Sequence, residues 1–138
     1  MGVGPNYVLD KGFVATGSTA YVQGELVVQS GDGTKSARAT SAGAMVVGVN
    51  MENVDAAKIT TTKVVHDVRM LGIARVLAGD VITVGARVTN DVTARAVAVA
   101  ASVGAKESFG VALTGATAAG LYFDCLLTPF AVINTAVS

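Results

Sequence analysis

Tryptophan is absent from this 138-residue chain, and cysteine and histidine occur once each, as Cys125 and His66. A single cysteine excludes an internal disulfide, so Cys125 is expected as a small buried hydrophobe. His66 and Cys125 stand far apart in sequence, which leaves no cluster of soft ligands for a metal. With no Trp and only 5% aromatic residues, the stacking platforms that hold sugars or single-stranded nucleic acid are missing. Charge is scarce as well. Charged residues make up 14% of the chain, against a typical share of about 25%, and ten basic residues cancel ten acidic ones. The basic stripe that phosphate binding demands is not there, so no nucleic-acid partner is expected. Long apolar runs are lacking too. The longest uncharged stretch, 108–123, is broken by Gly110, Thr114, Gly115, Thr117 and Gly120, short of the roughly 20 apolar residues a spanning helix needs. The first residues carry no basic region followed by an apolar run, so no signal peptide and no membrane anchor is expected, and synthesis in the cytoplasm is the default.

What the chain does have is Val, Ala, Thr and 16 Gly, with 51% hydrophobic residues overall. β-branched side chains are stiff about χ1 and suit a pleated sheet better than a helix. Short Val/Thr runs punctuated by Gly predict many strands and tight turns. The expected strands are 21–29 and 34–40 around the turn Gly31-Asp32-Gly33, then 45–51, 59–65 and 68–77 with a bulge at Gly72,. A second hairpin, 80–88 with 92–99, would turn at Thr89-Asn90-Asp91, and 109–113 and 121–128 complete the set, with Pro129 ending the last strand or placing it at an edge,. One helical turn is expected within 52–58. Residues 1–14 read as an extended N-terminal arm, because Gly2, Gly4 and Pro5 resist helix,. Residues 15–138 then form a single β-rich domain. The fold class is mainly β: a compact β-barrel or β-sandwich of short strands.

The chain echoes itself. Val47-Gly48-Val49 and then Ala56-Ala57-Lys58 are followed, 62 residues later, by Phe109-Gly110-Val111 and Ala118-Ala119-Gly120. Upstream, Gly24-Glu25-Leu26-Val27 resembles Gly79-Asp80-Val81-Ile82, and Arg38-Ala39 resembles Arg95-Ala96. Two pseudo-repeated halves closing one barrel or sandwich would account for this.

Chemistry is hard to build from these residues. No G-x-S-x-G elbow accompanies the serines, and His66 on a strand is expected at the surface or as a satisfied core residue. Gly31-Asp32-Gly33-Thr34-Lys35-Ser36 lacks the spacing of a phosphate loop, and Asp32 lacks the spacing of a calcium loop. Asp10, Glu25, Asp80, Asp91, Glu107 and Asp124 are scattered singly, and nothing selects a catalytic pair. No cofactor, no metal and no enzymatic activity are expected. Low charge with zero net charge keeps a free monomer poorly soluble and suits a protein packed against copies of itself or a partner.

Gly79-Asp80-Val81, Gly85, Asn90-Asp91, Arg95-Ala96, Phe109-Gly110-Val111-Ala112-Leu113 and Ala118-Ala119-Gly120, in that order, resemble the capsid cement, or decoration, proteins of tailed bacteriophages. Gly24 to Val49 is a looser copy, and 44–49 is similar to the lambda-type head-stabilising proteins. The resemblance covers 20–128. It implies a β-rich virion protein on the capsid exterior, often a homotrimer, that staples neighbouring major capsid protein subunits. A head-fibre base or surface adhesion module of a virion is the alternative, and an enzyme or ligand-binding barrel a more distant one. An extended arm can add a strand to a neighbour's sheet edge. The residues expected at a capsid or self-interface are therefore Pro5, Asn6, Tyr7, Val8 and Phe13, with Tyr122 and Phe130 near the C-terminal end.

Overall fold

The structure is a computed structural model that describes residues 8–99 and 105–134. It holds nine strands and one short helix: β1 (Leu9–Ala15), β2 (Leu26–Ser30), β3 (Lys35–Arg38), β4 (Gly48–Asn50), α1 (Ala56–Thr61), β5 (Val65–Leu77), β6 (Arg87–Asn90), β7 (Ala96–Ala98), β8 (Ala105–Ala112) and β9 (Tyr122–Asn134). The expected mainly β class is borne out, and of the two forms expected, barrel or sandwich, the chain takes the barrel. Strands β1, β3, β2, β4 and β5 pair in that order, and β1 returns to pair with β5, which closes a five-stranded barrel. The β1–β3 pairing is parallel and the others are antiparallel. Four further strands, β9, β8, β6 and β7, extend from β5.

Those four strands and the second half of β5 repeat the barrel. Strand β5 is 13 residues long and serves twice. Its first part, to Leu71, pairs with β1; from Gly72 to Leu77 it pairs with β9. The second series runs β5, β9, β8, β6, β7, as the first runs β1, β5, β4, β2, β3. Even the parallel closure recurs: Ala15 lies beside Ser36 in the first unit, and Ala78 beside Ala96 in the second. The registers agree rung by rung. Val27 faces Gly48 as Val88 faces Gly110, and Tyr21 bridges Val54 as Ile82 bridges Ala116. The repeated Val-Gly-Val motif is thus a real structural equivalence. The other echoes are not. Gly24 corresponds to Gly85, which shares its positive φ (91° and 85°), rather than to Gly79; and the register sets Arg38 against Ala98, not Arg95.

Several boundaries differ from expectation, each for a local reason. Residues 59–61 are helical, not strand. Asp55 caps α1 by accepting the Ala57 N–H, and Thr61 and Thr62 donate their hydroxyls to the Ala57 and Lys58 carbonyls. These side-chain bonds compete with sheet pairing and win at a helix end. In the second unit the corresponding segment, through Gly120, is a turn, so α1 is an insertion in the first unit and Lys58 within it has no counterpart. The second hairpin turns at 91–95, not 89–91, because the Asp91 carboxylate accepts the Thr93 and Arg95 N–H groups. Gly72 (φ 102°) marks the place where β5 changes partner rather than a bulge; the registers shift elsewhere, at Leu9/Asp10 and Ser108/Gly110. Strand β9 runs through Pro129, but beyond the last residue that β5 pairs, Leu127, where a missing N–H is tolerated. Leu9–Val14, expected within the arm, lie in β1 and are hydrogen-bonded to β5; residues 1–7 lie outside the described residues.

Inside the first barrel sit Phe13, Ala15, Tyr21, Val27, Val54 and Val68. At the matching positions the second unit holds Val76, Ala78, Ile82, Val88, Ala116 and Cys125, all in one larger cluster. That cluster also takes in Leu26, Ala39, Val46 and Val49 from the outer side of the first unit, so the two units share a core. Main-chain bonds sew the same seam: Leu26 N–H donates to Ala94 O at 2.8 Å, and Leu77 N–H to Gly24 O at 3.0 Å.

A buried polar relay and the outer surface as candidate functional sites

Three positions inside the first barrel break its apolar lining. Ser36 on β3, Asn50 on β4 and His66 on β5 point inward because each occupies the core-facing phase of its strand, and all three are buried. Ser36 Oγ lies 2.6 Å from His66 Nε2, and His66 Nδ1 lies 2.8 Å from Asn50 Oδ1. The Asn50 amide nitrogen donates to the Val22 and Glu52 carbonyls at 3.0 and 2.6 Å, which turns Oδ1 toward the histidine. That oxygen can only accept, so Nδ1 carries the proton and Nε2 accepts from the Ser36 hydroxyl. Tyr21 stacks edge-on against the imidazole, centroids 5.0 Å apart, and donates its hydroxyl to Thr16 O at 2.8 Å. Burial lowers the His66 pKa from its ordinary value, against the weaker opposing pull of Glu52 and Asp67.

A hydroxyl, an imidazole and an orienting amide in sequence are the parts of a nucleophilic relay. A relay also needs a place about 3 Å from the hydroxyl for a reacting atom. Ser36 is 0% exposed. The large open cleft of this barrel, about 620 Å³ beside α1, is lined by Tyr21, Glu52, Asn53, Lys58 and Val65 among others, and by none of the three relay residues. The second unit puts Ala96, Ala112 and Phe123 at the same three positions, all buried. The trio is therefore a satisfied polar plug in a space that its twin fills with apolar groups. Of the two sequence readings of His66, at the surface or as a satisfied core residue, the second fits this geometry, but the partnership with Ser36 and Asn50 went unseen. Its only signal is that three polar residues fall on inward phases of three strands, legible once the register is known.

The sulfur of Cys125 is equally withdrawn, its pKa pushed up to about 12 by burial. Among the described residues no three His, Cys, Asp or Glu side chains gather closely enough to hold a metal ion, and no helix is long and apolar enough to cross a membrane.

The expected interface residues scatter. Phe13 is in the core, 1% exposed, with Lys11 Nζ 5.2 Å from its ring; inward phase on β1 takes it off the surface. Val8 is exposed at the start of β1. Tyr122 is exposed but engaged, donating its hydroxyl to Gln23 O at 2.8 Å beneath the Arg75 guanidinium. Phe130 lies on β9, and its side chain is outside the described set, as are Pro5, Asn6 and Tyr7 altogether.

No protein-family profile matches the chain, and no curated protein sequence does. Among solved structures, 87% of the chain superposes on 95% of the N base of head fibre gp8.5 in bacteriophage phi29, with a TM-score of 0.63 and 21% sequence identity. The chain shares its fold with that phi29 base. Either unit alone is about half of the chain, so a match of this extent to the phi29 base includes both units and the strand they share. At this identity the likeness to the phi29 base is one of architecture, and it carries no residue-by-residue equivalence.

Proposed function

We propose that this protein is a structural component of a phage virion, attached to the outside of the capsid as the base of a head fibre. The observation that carries this reading is the fold shared with the phi29 head-fibre base over nearly the whole of that chain. Two further features support it. The Ser36–His66–Asn50 relay is sealed inside the first barrel, as expected of a protein that works by contact area rather than by turnover. Low charge and exposed apolar side chains on the sheets fit a molecule held between neighbours.

The partner in this reading is the major capsid protein, met through residues near the N-terminus from Pro5 to Val8 and through the region of Tyr122 and Phe130. The protein acts as a homo-oligomer, with a trimer favoured, and lacks enzymatic activity. A stapling, cement-type role is the second reading, favoured by the Gly-Val-Ala-Leu and Ala-Ala-Gly motifs of the second unit, which form β8 and the turn before β9.

Co-sedimentation with purified capsids tests the common element: the protein is expected to pellet with shells and to remain in the supernatant without them. Failure to pellet with its own phage's shells, at micromolar concentration, refutes the capsid reading. Imaging of decorated shells then separates the two roles. A fibre base is expected beneath a projecting fibre, whereas a cement protein spreads over all equivalent sites of the lattice.

A further inference from the structure

Within one chain the two units join front to back, and the joint shows what each surface is for. The outer face of the first unit is a four-strand rung: Leu26 on β2 faces Val49 on β4, Val49 faces Arg69 on β5, and Arg69 faces Asp10 on β1. Leu26 and Val49 are 0% exposed, buried in the core shared with the second unit. Arg69 and Asp10 close the other end as an ion pair at 2.9 Å. What the second unit brings to this face includes its β6–β7 turn. Ala94 O accepts the Leu26 N–H, Thr93 O accepts from Arg38 Nη2 at 3.2 Å, and the Asn90 amide donates to the Ala39 and Ser41 carbonyls at 3.0 and 2.9 Å.

The same rung exists in the second unit, and among the described residues no turn covers it as the β6–β7 turn covers the first. Arg87 faces Val111, Val111 faces Leu126, and Leu126 faces Ile73. Leu126 is 39% exposed and Ile73 37%, and Leu71 and Leu9, paired with each other on the adjoining stretch, are also exposed. In place of the Asp10–Arg69 ion pair this rung carries two bare aliphatic side chains. The complementary surface is free as well. The β2–β3 turn of the first unit, the counterpart of the turn that covers Leu26, is exposed at Gly31, Asp32 and Thr34. Gln29 stands there at the register position of Asn90, so the carboxamide that stitches the internal joint has an equivalent on the open side.

We propose that the rung Ile73, Leu126, Val111 and Arg87 is the docking face for the β2–β3 turn of a second copy of this chain, repeating between molecules the contact that joins the two units within one. The charges agree: the Arg87 guanidinium meets a turn whose tip carries Asp32. The contact is head-to-tail, since a face of the second unit meets a turn of the first. Such contacts propagate until their rotation closes a ring. This docking rests on the homo-oligomer of the proposed function and deepens it; because it is tested without capsids, its failure leaves capsid attachment standing.

Sedimentation velocity of the full chain, from about 1 to 100 µM, reads the association directly. The wild type is expected to form a closed species of defined mass. Leu126→Asp is expected to weaken association by at least about tenfold, by placing an unpaired charge in an apolar contact. Arg87→Asp and Asp32→Arg are each expected to weaken it, and the double variant to return to within about threefold of wild type. Circular dichroism melts accompany each variant, and all positions are exposed, so the folded state is expected to persist. A wild type that stays monomeric throughout overturns the proposal, as does association indifferent to Leu126→Asp. Charge variants that fail to restore each other overturn it as well.

Discussion

Replacing His66 by Phe, the residue its twin position holds as Phe123, separates the roles of shape and polarity in the first barrel. The change keeps a ring of similar size in the same slot but removes the partner of two buried groups, Ser36 Oγ and Asn50 Oδ1. Leaving a buried polar group unsatisfied costs about 1–3 kcal/mol each, so His66→Phe alone is expected to lose about 2–6 kcal/mol. Asn50 Oδ1 keeps a long 3.3 Å bond from the Glu52 N–H, which favours the lower half of that range. Converting Ser36 and Asn50 to Ala at the same time completes the apolar set of the second unit. That triple variant is expected to recover most of the loss, since exchanging a buried polar network for apolar groups of the same shape is nearly neutral. The pH dependence distinguishes the variants further. Burial depresses the His66 pKa in the folded state, so below about pH 6.5 the unfolded chain binds a proton that the folded chain refuses. Wild-type stability is therefore full above that pH. It falls as pH drops, by up to about 1.4 kcal/mol per unit, until the folded-state pKa is reached. Urea titrations followed by far-UV circular dichroism between pH 4.5 and 8 measure both effects, because the chain has no Trp to report fluorescence. A triple variant no more stable than His66→Phe, or an unchanged pH slope once the imidazole is gone, refutes the reasoning.

The repeat makes paired predictions. A Cβ on Gly48 would lie 2.5 Å from Arg69 O and Val68 Cγ1, and one on Gly110 2.5 Å from Cys125 Sγ and Leu126 O; both alanine variants are expected to lose more than about 2 kcal/mol in chemical denaturation. Gly85→Ala meets no neighbour, only a φ of 85°, and is expected to cost about 1–2 kcal/mol; a Gly85 penalty exceeding that of Gly48 would contradict the steric account. Ala94 holds a left-handed φ of 64°, so Ala94→Gly is expected within about 1 kcal/mol of wild type, relief of strain offsetting lost burial and added chain entropy. Cys125, with its thiol withdrawn and its pKa about 12, is expected to resist iodoacetamide at pH 8 until denaturant is added; rapid alkylation of the native protein would show an opening the fold does not have.

The sequence made the class of the fold legible because β-branched residues, glycines and turns act locally. The β2–β3 turn and the strands around Gly48 and Gly110 were readable for that reason. What escaped depended on register or on caps. Thr60 to Thr62 look like strand residues, yet the cap at Asp55 and the hydroxyl bonds to helix carbonyls make that stretch the end of a helix. Phe13 looked like an arm's anchor, and only the pairing of Phe13 with His66 across β1 and β5 shows that it faces inward. The Ser36–His66–Asn50 relay joins residues up to 30 positions apart, and no local pattern encodes that meeting. The doubled motif was visible, but its partner strings at Gly79 and Arg95 were coincidences of a low-complexity composition, which only the strand ladder could expose.

Because β5 runs unbroken from one unit into the other, no linker separates the two halves. Cleavage at Gly72 would leave each unit the part of β5 it pairs with, and the core they share, which takes in Leu26 and Val49, would still hold the two together. Tension applied to one unit passes to the other along β5, through ladders loaded in shear on β1, β4 and β9. A molecule built this way resists being pulled apart at its middle, where two tandem domains joined by a linker would part first.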